Sequence, residues 1–189
     1  MTEQEISSYK NKLLFFSPSE REPSYFTNSL IYICEHNAEG SMGLIINRPI
    51  NIDIKEFFES LKLNIAPQTH QKKLLMGGPV NPGAVFILHS AERQWDSTIV
   101  VNKEINLSTS KDVLEAISEG KGPKDFLITL GYSGWNSGQL DDELSENAWI
   151  VVPAKFDLIF RTDSEDIINK LSKELGFDLQ MVSPDFGNA

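Results

Sequence analysis

The sequence predicts an α+β fold: a single compact domain on a mixed sheet. Three observations carry that reading. The chain has 189 residues, which favours one unit of ordinary domain size. Strand-like and helix-like segments interleave irregularly, whereas a doubly wound parallel sheet alternates one strand with one helix. Two pairs of strands read as hairpins, which make antiparallel neighbours. The domain spans 1–189, with 1–11 as a flexible N-terminal segment because it is polar and carries acids before any apolar run. No Pro/Gly/Ser linker and no fixed-period repeat divides it.

The elements follow in order. KLLFFSP is a short strand that ends at Pro18, and the charged SEREP stretch after it is a loop. SLIYICEH is dense in β-branched and aromatic residues, and with GLIINRP it predicts a hairpin whose loop, NAEGSMG, is too long for a tight turn. Asp53 opens a helix in which Ile54, Phe57, Phe58 and Leu61 fall on one buried stripe. NIAPQTHQKK is a polar connection, and LLMGGPVNPG a tightly turned loop after a strand. AVFILHS and STIVVN predict a second hairpin around an exposed AERQWD loop.

Thr109 and Asp112 have capping-box spacing ahead of a helix that buries Val113, Leu114 and Ile117 and ends at Gly120. DFLITLG is a strand opening onto YSGWNSG, and Asn136 with Gln139 caps a short acidic helix. Trp149 to Val152 form another strand. The last helix starts at Thr162/Glu165, carries Ile167, Ile168, Leu171 and Leu175, and stops at Gly176.

With 40% hydrophobic and 23% charged residues, the composition excludes fibrous and disordered classes and predicts a real core. Seventeen Lys+Arg against 27 Asp+Glu give a formal charge of −10, which opposes contact with phosphate backbones and anionic membranes. Direct nucleic-acid binding is therefore not expected. Nor is membrane association, since the apolar runs are strand-sized. The N-terminus lacks the basic and apolar regions of a signal peptide, and Cys34 is the lone cysteine, so a reducing cytoplasm is the expected location.

No motif carries a reaction by itself. Strand alternation puts Cys34 and His36 on one side, where a thiolate and an imidazole would cooperate, but a lone cysteine in an apolar strand reads first as a poorly reactive core residue. GYSGW lacks the second glycine of a nucleophile elbow. Its glycines serve a strand-to-helix turn, and such a turn exposes backbone N–H groups to an anion. Gly77 and Gly78 lack the Lys-Ser/Thr of a P-loop and read as a tight turn. His36, His70 and His89 have no metal-site spacing, so no metal and no cofactor are expected.

Arg48, after Asn47, is either an anion-binding group or the ion-pair partner of a carboxylate such as Glu35, and the ion pair is favoured. Trp149 reads as core, Trp95 and Trp135 as loop aromatics open to a contact surface, and Asp141-Asp142-Glu143 as a solvated helix face.

Four blocks, SLIYICEHNAEGSMGLIINRP, LLMGGPV with FILH downstream, LSTSKDVLEAISEGKGP and LGYSGWNSGQLDDELSENAW, resemble the AlgH/YqgE family in order and spacing, from Lys12 to the C-terminus. The resemblance implies a bifurcated β-structure with a small barrel-like part surrounded by helices. It further implies a bacterial cytosolic protein without an established activity, some of whose relatives carry the name of transcriptional regulators. Ser133 stands where alanine is usual in that family, Pro82 where a basic residue is frequent, and Asn188 where a penultimate histidine is frequent. Neither Ser133 nor a terminal histidine therefore carries a family trait here.

Function is then expected to be that of a non-enzymatic regulatory or adaptor protein with an unidentified protein partner or small ligand, acting on transcription only indirectly. The candidate contact residues are His36, Asn37, Asn47, Arg48, Gly77, Gly78, Ser133, Trp135, Asn136 and Gln139, and the Gly131–Gln139 stretch is their centre. The alternative is a small-molecule- or anion-binding enzyme in which Cys34, His36, Arg48 and the polar groups near Ser133 and Asn147 converge on a pocket by the Gly131–Gln139 stretch.

Overall fold

The computed structural model describes residues 8–16 and 24–182. The SEREP loop, the first part of the N-terminal segment and Asn188 lie outside the described residues. Nine strands, β1 (Lys12–Phe16), β2 (Leu30–Asn37), β3 (Gly40–Ile45), β4 (Leu74–Met76), β5 (Val80–Ser90), β6 (Ile99–Val100), β7 (Ile105–Ser108), β8 (Phe126–Asn136) and β9 (Trp149–Pro153), form one sheet. Its order is β6-β7-β5-β8-β3-β2-β1-β9, with β4 added beside β8. The β4–β8 pair is parallel and the other strand pairs are antiparallel, so the sheet is mixed.

β8 is where the sheet divides. Its first half lies between β4 and β5, while its last four residues pair with β3. Between those halves the chain leaving β4 must cross β8 to begin β5 at Val80, opposite Tyr132. The crossing happens at Gly131, held at φ 69°, a left-handed conformation natural to glycine. A Cβ on Gly77 would run into the Gly131 carbonyl oxygen, so backbone passes over backbone with no room for a side chain.

The sheet curls into a half-barrel. A seam of hydrogen bonds joins the start of β1 to β6 and the turn after it: Lys10 Nζ donates to Val100 O at 3.0 Å, and Asn11 Oδ1 accepts from both Tyr32 OH and Asn102 Nδ2 at 2.8 Å. Leu13, Leu30, Tyr32, Leu44, Leu88 and Leu107 fill the inside of the curl. Two helices, α4 (Phe156–Phe160) and α5 (Ile167–Leu175), cover one end of that core with Leu158, Ile159, Ile167 and Leu171. Outside, α1 (Ile54–Ser60) and α2 (Lys111–Ser118) pack on β4, β5 and β8, and α3 (Gln139–Ser145) packs across β1, β2 and β3.

Most elements lie where the pattern predicts them, and the differences have physical reasons. Asp53 caps α1 as expected, accepting from Lys55 N at 2.8 Å. The first hairpin is tighter than expected, because β2 and β3 extend until only Ala38 and Glu39 form the turn. The second hairpin is β6–β7 rather than β5–β6, and β5 pairs instead with β7 and β8. Ser110, not Thr109, stands at the N-cap of α2, where its hydroxyl bonds Asp112. The predicted C-terminal helix begins at Ile167, and α4 ahead of it is too short to show a helical period. Gly176 does end α5, at φ 79°.

Candidate functional site

The Gly131–Gln139 stretch is not a loop. β8 continues through Asn136, and only Ser137 and Gly138 turn the chain into α3. Ser133 is fully buried and donates its hydroxyl to Gly77 O at 3.2 Å. Trp135, expected to face solvent, is only 6% exposed and packs with Phe26 and Trp149, and Phe16 packs in turn on Trp149.

Glu143 holds this cluster together. Its Oε2 accepts from Trp135 Nε1 at 2.9 Å and Trp149 Nε1 at 2.7 Å, while Oε1 accepts from Gln139 Nε2 at 2.9 Å. Gln139 Oε1 accepts in turn from Asn136 N at 3.0 Å. Glu143 was missed in the acidic run, although its four-residue spacing from Gln139 marks a helix-face pair. Trp95 is likewise buried, under the Arg93 guanidinium.

Cys34 and His36 face opposite sides of the sheet. A register shift between Ile33 and Glu35 interrupts the alternation on which their pairing depended. Cys34 joins the core inside the curl, and burial pushes its thiol well above the usual cysteine range, with the Glu35 charge adding to it. His36 lies on the α3 side, with Nδ1 2.7 Å from Ser41 Oγ, Nε2 3.8 Å from Asp141 Oδ1, and the Tyr9 ring against its edge. His89 is buried between Ser90 O and Ser108 Oγ, and desolvation lowers its pKa.

Arg48 pairs with no carboxylate among the described residues. Its guanidinium donates to Tyr25 O at 2.9 Å, Thr27 O at 3.3 Å and Ser29 Oγ at 2.6 Å, and lies over the Tyr25 ring. Asn47 accepts from Leu30 N and donates to Asn28 O, both at 2.8 Å. The two side chains tie segment 24–30 to the sheet. Gly77 and Gly78 are enclosed at the strand crossing. Cys34, His36, Arg48 and Ser133 thus occupy separate places, Asn147 lies in the turn between α3 and β9, and the five do not converge on a pocket.

Asn37 and Asn136 are brought together elsewhere. At the end of the half-barrel away from α4 and α5, the inner face reaches the surface in a groove of about 640 Å³. Met42, Phe86, Leu107 and Tyr132 form an apolar floor continuous with the core, with the Phe86 and Tyr132 rings edge to face at 5.4 Å. Val80 and Ile99, 37% and 38% exposed, make one wall. Glu35, Asn37, Glu39 and Asn136 supply polar groups. Of the ten predicted contact residues, only Asn37, Asn136 and the buried Trp135 border it. Glu35, Met42, Val80, Phe86 and Tyr132 were missed because each is individually unremarkable in its strand.

A mixed sheet that divides at one glycine-crossed strand, curls into a half-barrel and carries helices on its outer face defines an α+β class whose inner core opens at one end. The chain belongs to the AlgH-like family, whose profile matches residues 13–180. It is 44% identical over 181 residues to a UPF0301 protein of Cupriavidus pinatubonensis, covering 95% of this chain and 94% of that one. A UPF0301 protein of Shewanella loihica is 39% identical over 186 residues, covering 97% and 100%. The solution structure of AlgH from Pseudomonas aeruginosa superposes with a TM-score of 0.79 at 36% identity, over 100% of this chain and 98% of that chain. A Corynebacterium diphtheriae protein shares the fold, with a TM-score of 0.64 at 20% identity over 89% of this chain and 90% of that chain.

Proposed function

We propose that the chain is a cytosolic binding protein, regulatory or adaptor in role, that receives its partner in the groove at the open end of the half-barrel. The observation that carries this reading is a concave, partly exposed apolar surface on a rigid sheet, within the volume range of ligand sites. Among the described residues its lining holds two carboxylates and a phenol but no histidine, cysteine, lysine or arginine. That set suits recognition better than proton transfer, which works with acid and base groups tuned near neutral pH. Any effect on transcription then passes through a partner, since a formal charge of −10 opposes binding to DNA.

Gly134 offers a direct test, because it borders the groove and its φ is not positive. A Cβ there stands 3.1 Å from the edge of the Tyr132 ring and its nearest contacts are all side-chain atoms, so Gly134→Val fills the groove with a shift of that ring by a few tenths of an ångström. Parent and variant are compared in affinity capture from bacterial lysate and in a thermal-shift ligand screen. The expected outcome is a partner or stabilising ligand that the parent binds and the folded variant does not. Equal binding by both places the functional surface elsewhere.

A further inference from the structure

We propose that the groove takes a short extended peptide of a partner protein in which a lysine or arginine stands beside an apolar residue. This rests on the groove being the binding site, and three features specify the occupant.

The first is charge. Glu35 is half-buried and Glu39 exposed, and among the described residues neither carboxylate makes an ion pair or a side-chain hydrogen bond. Lys10, at the neighbouring seam, donates to Val100 O instead. A carboxylate partly stripped of water beside apolar side chains is best compensated by a cation that brings its own hydrogen bonds. An acidic lining also attracts basic partners and repels acidic ones.

The second is the arrangement of side chains across the strands. Glu35 pairs with Met42, and Met42 with Gly134, so these three form a row across β2, β3 and β8. Residues directly opposite in a sheet share a face, which sets the carboxylate beside a thioether and then a bare glycine. A lysine or arginine fits that row, laying its methylenes on Met42 and its charge at Glu35.

The third is backbone recognition. Two residues along the same strands, Asn37 pairs with Gly40 and Gly40 with Asn136, which makes a second row on the same face. Its two exposed carboxamides flank another bare glycine, roughly 10 Å apart at two strand spacings. The Asn136 carboxamide both donates and accepts, as a peptide backbone requires, while Asn37, whose Oδ1 accepts from Glu39 N at 2.8 Å, presents its amide N–H groups. Gly40 leaves no side chain on the strip between them, and Val80 and Ile99 receive the peptide's apolar side chain. A small amine satisfies the first row and leaves the second unused.

The experiment is calorimetric titration of the full chain with Ac-Leu-Lys-Phe-Leu-NH2, with its norleucine and glutamate counterparts, and with octylammonium. The lysine peptide is expected to bind about tenfold more tightly than the norleucine peptide, the effect of one charge-assisted contact. The glutamate peptide is expected to show no binding. Glu35→Gln erases the lysine preference and leaves norleucine binding unchanged, while Gly134→Val removes binding of both. Should Gly134→Val not fold, Val80→Arg at an exposed site weakens the lysine peptide and admits the glutamate one.

If Gly134→Val or Val80→Arg binds all peptides as the parent does, the groove reading itself falls. If lysine and norleucine peptides bind alike and both are lost in Gly134→Val, the groove stands and the cationic occupant is wrong. Octylammonium binding as tightly as the lysine peptide, or no peptide binding at all, overturns the peptide.

Discussion

The Gly131–Gln139 stretch and the groove that borders it lie on the same strands and teach opposite lessons. The first has three glycines, a tryptophan, two serines and a helix start within nine residues, and its outer face is scaffold: Gly131 permits a strand crossing, Ser133 bonds a buried carbonyl, and the Trp135 indole is covered by α3. The second takes Tyr132 from the inner face of that stretch, adds Glu35, Met42, Val80 and Phe86 from three further strands, and is open. Unusual residues here mark where the backbone is constrained. The open surface comes from ordinary residues that curvature leaves uncovered.

The sharpest way to break this comparison is through Glu143. If Trp135 is structural, Glu143→Ala strands two indole N–H groups in a buried cluster, and each costs about 1–3 kcal/mol. The expected loss is about 3–4 kcal/mol in urea unfolding, whereas Glu143→Gln keeps an acceptor and loses about 1 kcal/mol. A loss below about 1 kcal/mol for the alanine variant returns Trp135 to the surface. Next in size is Gly77→Ala, which forces a methyl group into the Gly131 carbonyl at the crossing. It should cost about 2–3 kcal/mol by overpacking, and a neutral effect means the crossing is looser than described.

How much of this was legible follows the range of the interactions. The stripe of Ile54 and Phe58, the Asp53 cap, the Val113–Ile117 face and the stop at Gly176 are set within one helical turn or two, and sequence periodicity reports them. The mixed α+β class followed from the irregular interleaving of elements. What the pattern missed depends on non-local pairing. β5 chooses β7 and β8 over β6, a bulge turns His36 away from Cys34, and Glu143 finds two tryptophans from different strands. The groove was least legible, because its residues meet only once six strands have curled around one core.

Cys34 sharpens the contrast from inside the curl, as a reactive residue type with no exposure. Its thiol is fully buried and its Sγ lies 3.7 Å from Tyr32 O. Burial holds it in the neutral form across the physiological range, so a thiol reagent at neutral pH should modify the native chain far more slowly than the urea-unfolded one. Cys34→Ser is expected to cost about 1–2 kcal/mol by placing a hydroxyl in an apolar core. Rapid labelling of the native protein contradicts the burial.

The smallest expected effect discriminates most between scaffold and surface. Val80 is apolar and stands in a strand, so a core reading predicts that Val80→Ser loses transfer and cavity energy of about 1–3 kcal/mol. Its side chain instead reaches the groove at 37% exposure, and a polar substitution there removes little buried area. Stability should change by no more than about 0.5 kcal/mol, while any partner held in the groove loses an apolar contact and binds more weakly. Residues that stabilise the fold and residues that present it to a partner separate along those two measurements: Glu143 moves unfolding, Val80 moves binding. Should Val80→Ser destabilise the chain as much as Gly77→Ala, the groove is collapsed core in solution, and the open end of the half-barrel has closed.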